Sequence, residues 1–120
     1  MIININKPTG WSSFDVVKKI KNITKYKKVG HGGTLDPFAT GVLIIGTESD
    51  TKKLTGITNS NKVYEAQLEL GKTTNTLDIE GEIISTKEVP KFDTSTIKSI
   101  LNKFMGKQKQ KPPMYSAKKY

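Results

Sequence analysis

The stretch KVGHGGTLDPFATGVLIIG, Lys28 to Gly46, decides how this chain reads. It holds the only histidine, His31, and sets three glycines, Gly30, Gly32 and Gly33, ahead of one carboxylate, Asp36. It closes on a continuous apolar run, Val42 to Gly46, consistent with a central strand. The glycines let the backbone bend and approach a ligand closely. Pro37 bars Asp36 from the helical region and holds it extended. The loop therefore presents Asp36 stiffly, just before a buried strand. That suits a catalytic carboxylate on a rigid support. It also suits an ordinary Asp-Pro turn, the commoner setting of that dipeptide. His31 fits a general acid or base, a metal ligand, or a hydrogen-bonding fixture. With no second histidine and no cysteine, zinc is disfavoured. No Gly-Lys-Ser/Thr follows the glycines, so a phosphate-binding P-loop fails.

Upstream of this stretch, Ile2 to Ile5 reads as a short strand and Lys7-Pro8-Thr9-Gly10 as a turn. Ser12 then caps a helix, with Asp15 three residues on in a shortened capping box. Val16, Val17, Ile20 and Ile23 form its apolar stripe. Lys18, Lys19, Lys21 and Lys25 occupy the other face, either simply solvated or turned to phosphates. Downstream, Val63 to Leu70 alternates as a strand, with Tyr64, Ala66, Leu68 and Leu70 on one face. Thr73 to Gly81 reads as a loop and Glu82 to Thr86 as another strand. Asp93-Thr94-Ser95 caps a second amphipathic helix through Ile97, Ile100, Leu101 and Phe104, closed by Gly106. This order predicts an α/β or α+β fold, with a mixed, largely antiparallel sheet flanked by helices.

At 120 residues the chain is one domain or part of one. Hydrophobic content is 34%, low for a self-sufficient globule, and no run approaches a membrane span. The absence of cysteine excludes a disulfide scaffold and fits a cytoplasmic setting. The net charge of +9 favours a polyanionic partner, although an AT-biased genome produces the same lysine-rich mix. All twenty basic residues are lysines. Lysine is a mobile point charge without a bidentate fork, so base reading here cannot rest on arginine. The closing Ala117-Lys118-Lys119-Tyr120 carries no polar stop signal, and the chain is expected to be a fragment.

Gly30-His31-Gly32-Gly33-Thr34-Leu35-Asp36-Pro37, with Ala39-Thr40-Gly41-Val42-Leu43, closely resembles the signature loop of the bacterial tRNA pseudouridine synthase B (TruB) family. Lys7-Pro8-Thr9-Gly10-Trp11-Ser12-Ser13 resembles the family's N-terminal motif, Thr51-Lys52 its Ala-Thr-Lys segment and Lys62-Val63-Tyr64-Glu65-Ala66 its Lys-x-Tyr strand. Thr74 to Gly81 and Gln110 to Ala117 complete the set. Six motifs in family order, spanning nearly the whole chain, make the resemblance highly specific.

The resemblance implies a pseudouridine synthase catalytic fold and isomerisation of uridine 55 in the tRNA T-loop to pseudouridine, with no metal or cofactor. It implies that Asp36 is the essential carboxylate, as covalent nucleophile or as base at C2′. The target base must leave its stack to reach the site. Tyr64 matches the family's stacking tyrosine, and His31 matches the histidine that contacts the RNA, with a loop-bracing hydrogen bond as its alternative role. Tyr115 is expected in the core or under the RNA surface. Residues 1–120 would be the N-terminal half of the catalytic domain. Family members continue through an RNA-clamping thumb, a strand whose arginine pairs with the aspartate, and often a C-terminal RNA-binding domain. The expected partner is the T-arm of tRNA, with no membrane, a monomeric full-length protein, and an inactive isolated chain. Gly32 stands where the family usually has Thr, and Lys118 where it has Leu; both depart from the pattern. The competing readings are a non-catalytic RNA-binding remnant of the fold and the RNA-guided pseudouridine synthase branch.

Overall fold

The computed structural model describes residues 1–111, in two compact units, Met1–Tyr64 and a second from Glu65. In the first unit, strands β1 (Ile2–Lys7), β2 (Val29–His31) and β3 (Gly41–Thr47) form an antiparallel sheet in the order β1-β3-β2. β3 is thus central, as its apolar run requires. It pairs with β1 from Ile2↔Gly46 to Lys7↔Gly41, and with β2 from Val29↔Thr47 to His31↔Ile45.

Helix α1 (Ser13–Thr24) begins where the sequence places it. The Ser12 hydroxyl accepts from the Asp15 N–H at 3.1 Å, and the Asp15 carboxylate accepts from the Ser12 N–H at 2.9 Å, a reciprocal capping box. The helix ends at Lys25, left-handed at φ 59°, whose N–H bonds the Lys21 carbonyl. Val16 and Val17 bury against Leu43 and Ile45 of β3, with Ile3, Ile5, Ile20, Val29 and Leu35 around them. Each such side chain stabilises the unit by roughly 1.5–3 kcal/mol when fully buried.

The opposite face of the sheet carries a 3-10 turn (Glu48–Lys53) and the short helix α2 (Leu54–Thr58). Here the glycines are a packing device. Gly30 and Gly46 are partners across β2 and β3, and Leu54 lies over them. A Cβ on Gly46 would sit 3.0 Å from Leu54 Cγ and 3.1 Å from the Asp50 carbonyl oxygen. One on Gly32 would sit 3.2 Å from Leu54 Cδ2 and 3.4 Å from Ile57 Cγ2. Glycine at position 32 therefore leaves room for α2.

In the second unit, β4 (Lys72–Thr74) and β5 (Ile83–Thr86) form an antiparallel hairpin with a register shift between Thr73 and Thr74. The connecting loop is braced by Asp78, whose carboxylate accepts from the Thr76 hydroxyl at 2.6 Å and the Glu80 N–H at 2.9 Å. Helix α3 (Thr94–Asn102) is capped by Asp93, which accepts from the Thr96 N–H at 2.7 Å.

Three local expectations change. Val63 to Leu70 is irregular and exposed. Alternation tells which side chains would share a face, but a strand also needs a partner for its N–H and C=O groups. Among the described residues nothing pairs with this segment. The loop expected from Thr73 starts inside β4, and the helix expected to run to Gly106 ends at Asn102. Tyr115 and Lys118 lie outside the described residues. Among the described residues, no helix is long and apolar enough to cross a membrane.

Candidate active site

Asp36 lies on the connection between β2 and β3, with its side chain exposed. Its carbonyl accepts the Ala39 N–H at 3.0 Å, so Asp36-Pro37-Phe38-Ala39 is a β-turn with aspartate first and proline second. Of the two settings of the dipeptide, the structure shows the Asp-Pro turn, with the Asp36 side chain exposed on it.

What stiffens this turn comes from the segment after β1. The Gly10 N–H donates to the Pro37 carbonyl at 2.7 Å, and the Thr9 hydroxyl to the Phe38 carbonyl at 3.1 Å. The Ser13 hydroxyl accepts from the Leu35 N–H at 2.9 Å and returns a bond to the Leu35 carbonyl at 3.2 Å. Lys7 completes the clamp. It is fully buried, and its Nζ donates to the carbonyls of Pro8 at 2.8 Å, Trp11 at 2.6 Å and Pro37 at 3.2 Å. An ammonium has three donors and no acceptor, and three carbonyls take them. This satisfaction offsets the cost of removing the charge from water.

Lys7, Thr9 and Ser13 were not among the sequence-derived site residues. Lysine is usually a surface residue, and Lys7-Pro8-Thr9-Gly10 reads as a plain turn. The signal was the alternation of β1, in which Lys7 follows Ile3 and Ile5 on the face turned to the core.

His31 ends β2, opposite Ile45, and is half-buried. Its Nδ1 makes a short contact with the Gly33 carbonyl oxygen. A carbonyl can only accept, so Nδ1 is the donor in this contact, and it braces the loop. Gly33, at φ 123°, is the residue at which the loop needs glycine for its backbone angle. Tyr64 is the last residue of the first unit and is exposed on irregular backbone. Among the described residues no hydrogen bond joins Asp36, His31 and Tyr64 to one another. His31 ends the strand from which the Asp36 loop departs; Tyr64 stands apart in sequence. No cluster of three metal-ligating side chains occurs among the described residues.

Residues 21–120 match the model of the TruB family pseudouridylate synthase N-terminal domain. The chain is similar to a tRNA pseudouridine synthase B of Lactococcus lactis subsp. lactis, 48% identical over 119 residues, covering 98% of this chain and 36% of that protein. It is 51% identical over 120 residues to a tRNA pseudouridine synthase B of Ureaplasma urealyticum serovar 10, covering 98% of this chain and 52% of the relative. Among solved structures it resembles a chain of a Cbf5-Nop10-Gar1 complex, with TM-score 0.63 and 31% identity over 98% of this chain and 30% of that one. The expected fold class, antiparallel sheets with flanking helices, agrees with that likeness. The chain spans about a third to a half of the length of these curated relatives.

Proposed function

The chain belongs to the TruB family of pseudouridylate synthases, and from that membership we propose that the protein carrying it isomerises uridine 55 in the T-loop of tRNA to pseudouridine. Residues 1–120 are read as the N-terminal half of its catalytic domain, in a protein acting as a monomer on the T-arm. The reaction conserves composition. The N1–C1′ bond breaks, the uracil turns, C5 bonds to C1′, the C5 proton leaves to solvent and N1 gains one. No oxidant or co-substrate is consumed.

Asp36 is assigned the essential carboxylate, either attacking the sugar or base or taking the C2′ proton. The observation that carries this reading is the clamped turn: the buried Lys7 ammonium and three further groups bond the backbone on both sides of Asp36 while its carboxylate stays exposed. Positioning of this kind is what a carboxylate acting on a flipped nucleotide requires. His31 is assigned contact with the RNA through Nε2. Tyr64 is assigned stacking on the target base, and its exposure leaves the ring accessible.

The test is tritium release from tRNA labelled at uracil C5, using the protein that carries this chain. Release is expected from tRNA with uridine at position 55 and from no tRNA with cytidine there. Equal release from both would overturn the position assignment, and no release from either would overturn the activity.

A further inference from the structure

We infer that the cleft along the first two turns of α1 is a second RNA contact, in which Lys18 and Lys19 hold backbone phosphates and the Trp11 indole stacks on a ribose or an unstacked base. This rests on the proposed action on tRNA and adds a binding surface outside the Asp36 loop.

The cleft measures about 370 Å³ and is lined by Gly10, Trp11, Asp15, Lys18, Lys19 and Asn22. Positions 15, 18, 19 and 22 fall on one face of a helix, so these groups project together. Beside these lysines the Trp11 indole is 39% exposed, so part of the ring is open to a ligand. Aromatic rings interleaved with cationic side chains suit single-stranded nucleic acid, because phosphates and base faces alternate along it. Trp11 is also pre-positioned, since its carbonyl is held by the buried Lys7 ammonium at 2.6 Å.

Asp15 is the one carboxylate in the cleft, and it is already committed. Its Oδ2 accepts from the Ser12 N–H at 2.9 Å and the Ser12 hydroxyl at 2.6 Å, and these bonds hold its carboxyl below the usual range. Among the described residues neither Lys18 nor Lys19 is in an ion pair. Lys18 also acts on the Asp15 carboxylate through its charge, and the two ammoniums outnumber the one carboxylate of the cleft.

Gly10 ties the cleft to the candidate active site. It lines the cleft, and its N–H donates to the Pro37 carbonyl, one residue beyond Asp36. A strand lying over Trp11 and the two lysines would thus run along the wall shared with the Asp36 turn.

Trp11 is the only tryptophan, so its fluorescence reports on this cleft alone. The experiment titrates tRNA into the 120-residue chain at low salt and follows Trp11 emission beside a gel-shift measurement of binding. Emission should be quenched in step with binding. In the Lys18→Gln/Lys19→Gln double variant, the slope of log K against log salt should lose about 1.4–1.8 units, the counterion release of two phosphate contacts. Both lysines are exposed, so the variant keeps its core. Binding that leaves Trp11 emission unchanged, or an unchanged salt slope, overturns the cleft assignment and leaves the proposed activity standing. Equal quenching by polyglutamate overturns the assignment to RNA. Failure of the chain to bind tRNA at all overturns this inference and leaves the proposed activity of the longer protein to the tritium-release assay.

Discussion

Lys7 donates through Nζ to the carbonyl oxygen of Pro37 at 3.2 Å, across 30 residues of sequence, and so ties the end of the first strand to the turn that displays Asp36. A surface-type residue is here the innermost part of a loop clamp. Truncation to alanine would strand the carbonyls of Pro8, Trp11 and Pro37, each at a cost of about 1–3 kcal/mol where water cannot replace the donor. Lys7→Ala should destabilise the first unit by roughly 2–4 kcal/mol, less than the sum because water enters the void. Lys7→Arg should not rescue it, because a planar fork cannot converge on three carbonyls. Urea unfolding followed by Trp11 emission measures both; a loss below about 1 kcal/mol in Lys7→Ala would contradict the clamp.

Gly46 and Gly56 should respond in opposite directions to alanine. At Gly46 the new methyl would lie 3.0 Å from Leu54 Cγ and 3.1 Å from a backbone oxygen that cannot rotate away. Overpacking of this kind costs about 1–3 kcal/mol. At Gly56, inside α2, nothing lies within 4 Å, and alanine should stabilise by about 0.5–1 kcal/mol through helix propensity. Equal effects at the two positions would refute the packing role given to Gly46.

Asp50 gives the first unit an acid-side pH dependence. Hydrogen bonding to Lys53 at 2.8 Å, and then to the amino terminus of Met1 at 2.6 Å, lowers its pKa from 3.8 to about 2. A carboxyl with a depressed folded-state pKa binds its proton more readily when unfolded. Its contribution is therefore complete above about pH 4 and is lost as the pH falls toward 2. The urea midpoint of Asp50→Asn should vary less across that window than that of the parent. Parallel curves would remove Asp50 as a source of the dependence.

Tyr64 is separable into ring and hydroxyl. Tyr64→Phe should retain most activity of the protein that carries this chain, while Tyr64→Leu should lose the stacking that contributes roughly 1–3 kcal/mol per base. Equal losses would point to the phenol as a proton-transfer group, and no loss in either would take Tyr64 out of the site.

Helix α1 and strand β3 were legible in the sequence because each carries its own signal. Ser12 and Asp15 form a local cap, and Val42 to Gly46 is an unbroken apolar run. β2 was not legible: Val29-Gly30-His31 has no strand pattern, and its ladder is made with residues 45 to 47. Helix α2, five residues with a central glycine, is too short to show a period. Val63 to Leu70 erred the other way, a clear alternation with no partner among the described residues. Within the site, the stiffness of Asp36-Pro37 followed from proline sterics. The groups enforcing it did not, because they lie between 22 and 30 residues away in sequence. The packing of Gly32 against Leu54 and Ile57 was not legible either, because α2 lies more than 20 residues further along the chain.

The central claim is the assignment of Asp36, and Asp36→Asn tests it most directly. The side chain is exposed on a turn held through its backbone, so the amide should leave the fold and tRNA affinity nearly intact. The measurement is tritium release from tRNA labelled at uracil C5, run on the protein that carries this chain, beside tRNA binding by the same preparation. The account predicts binding within a few-fold of the parent and no detectable release. Release at a rate close to the parent's would contradict it.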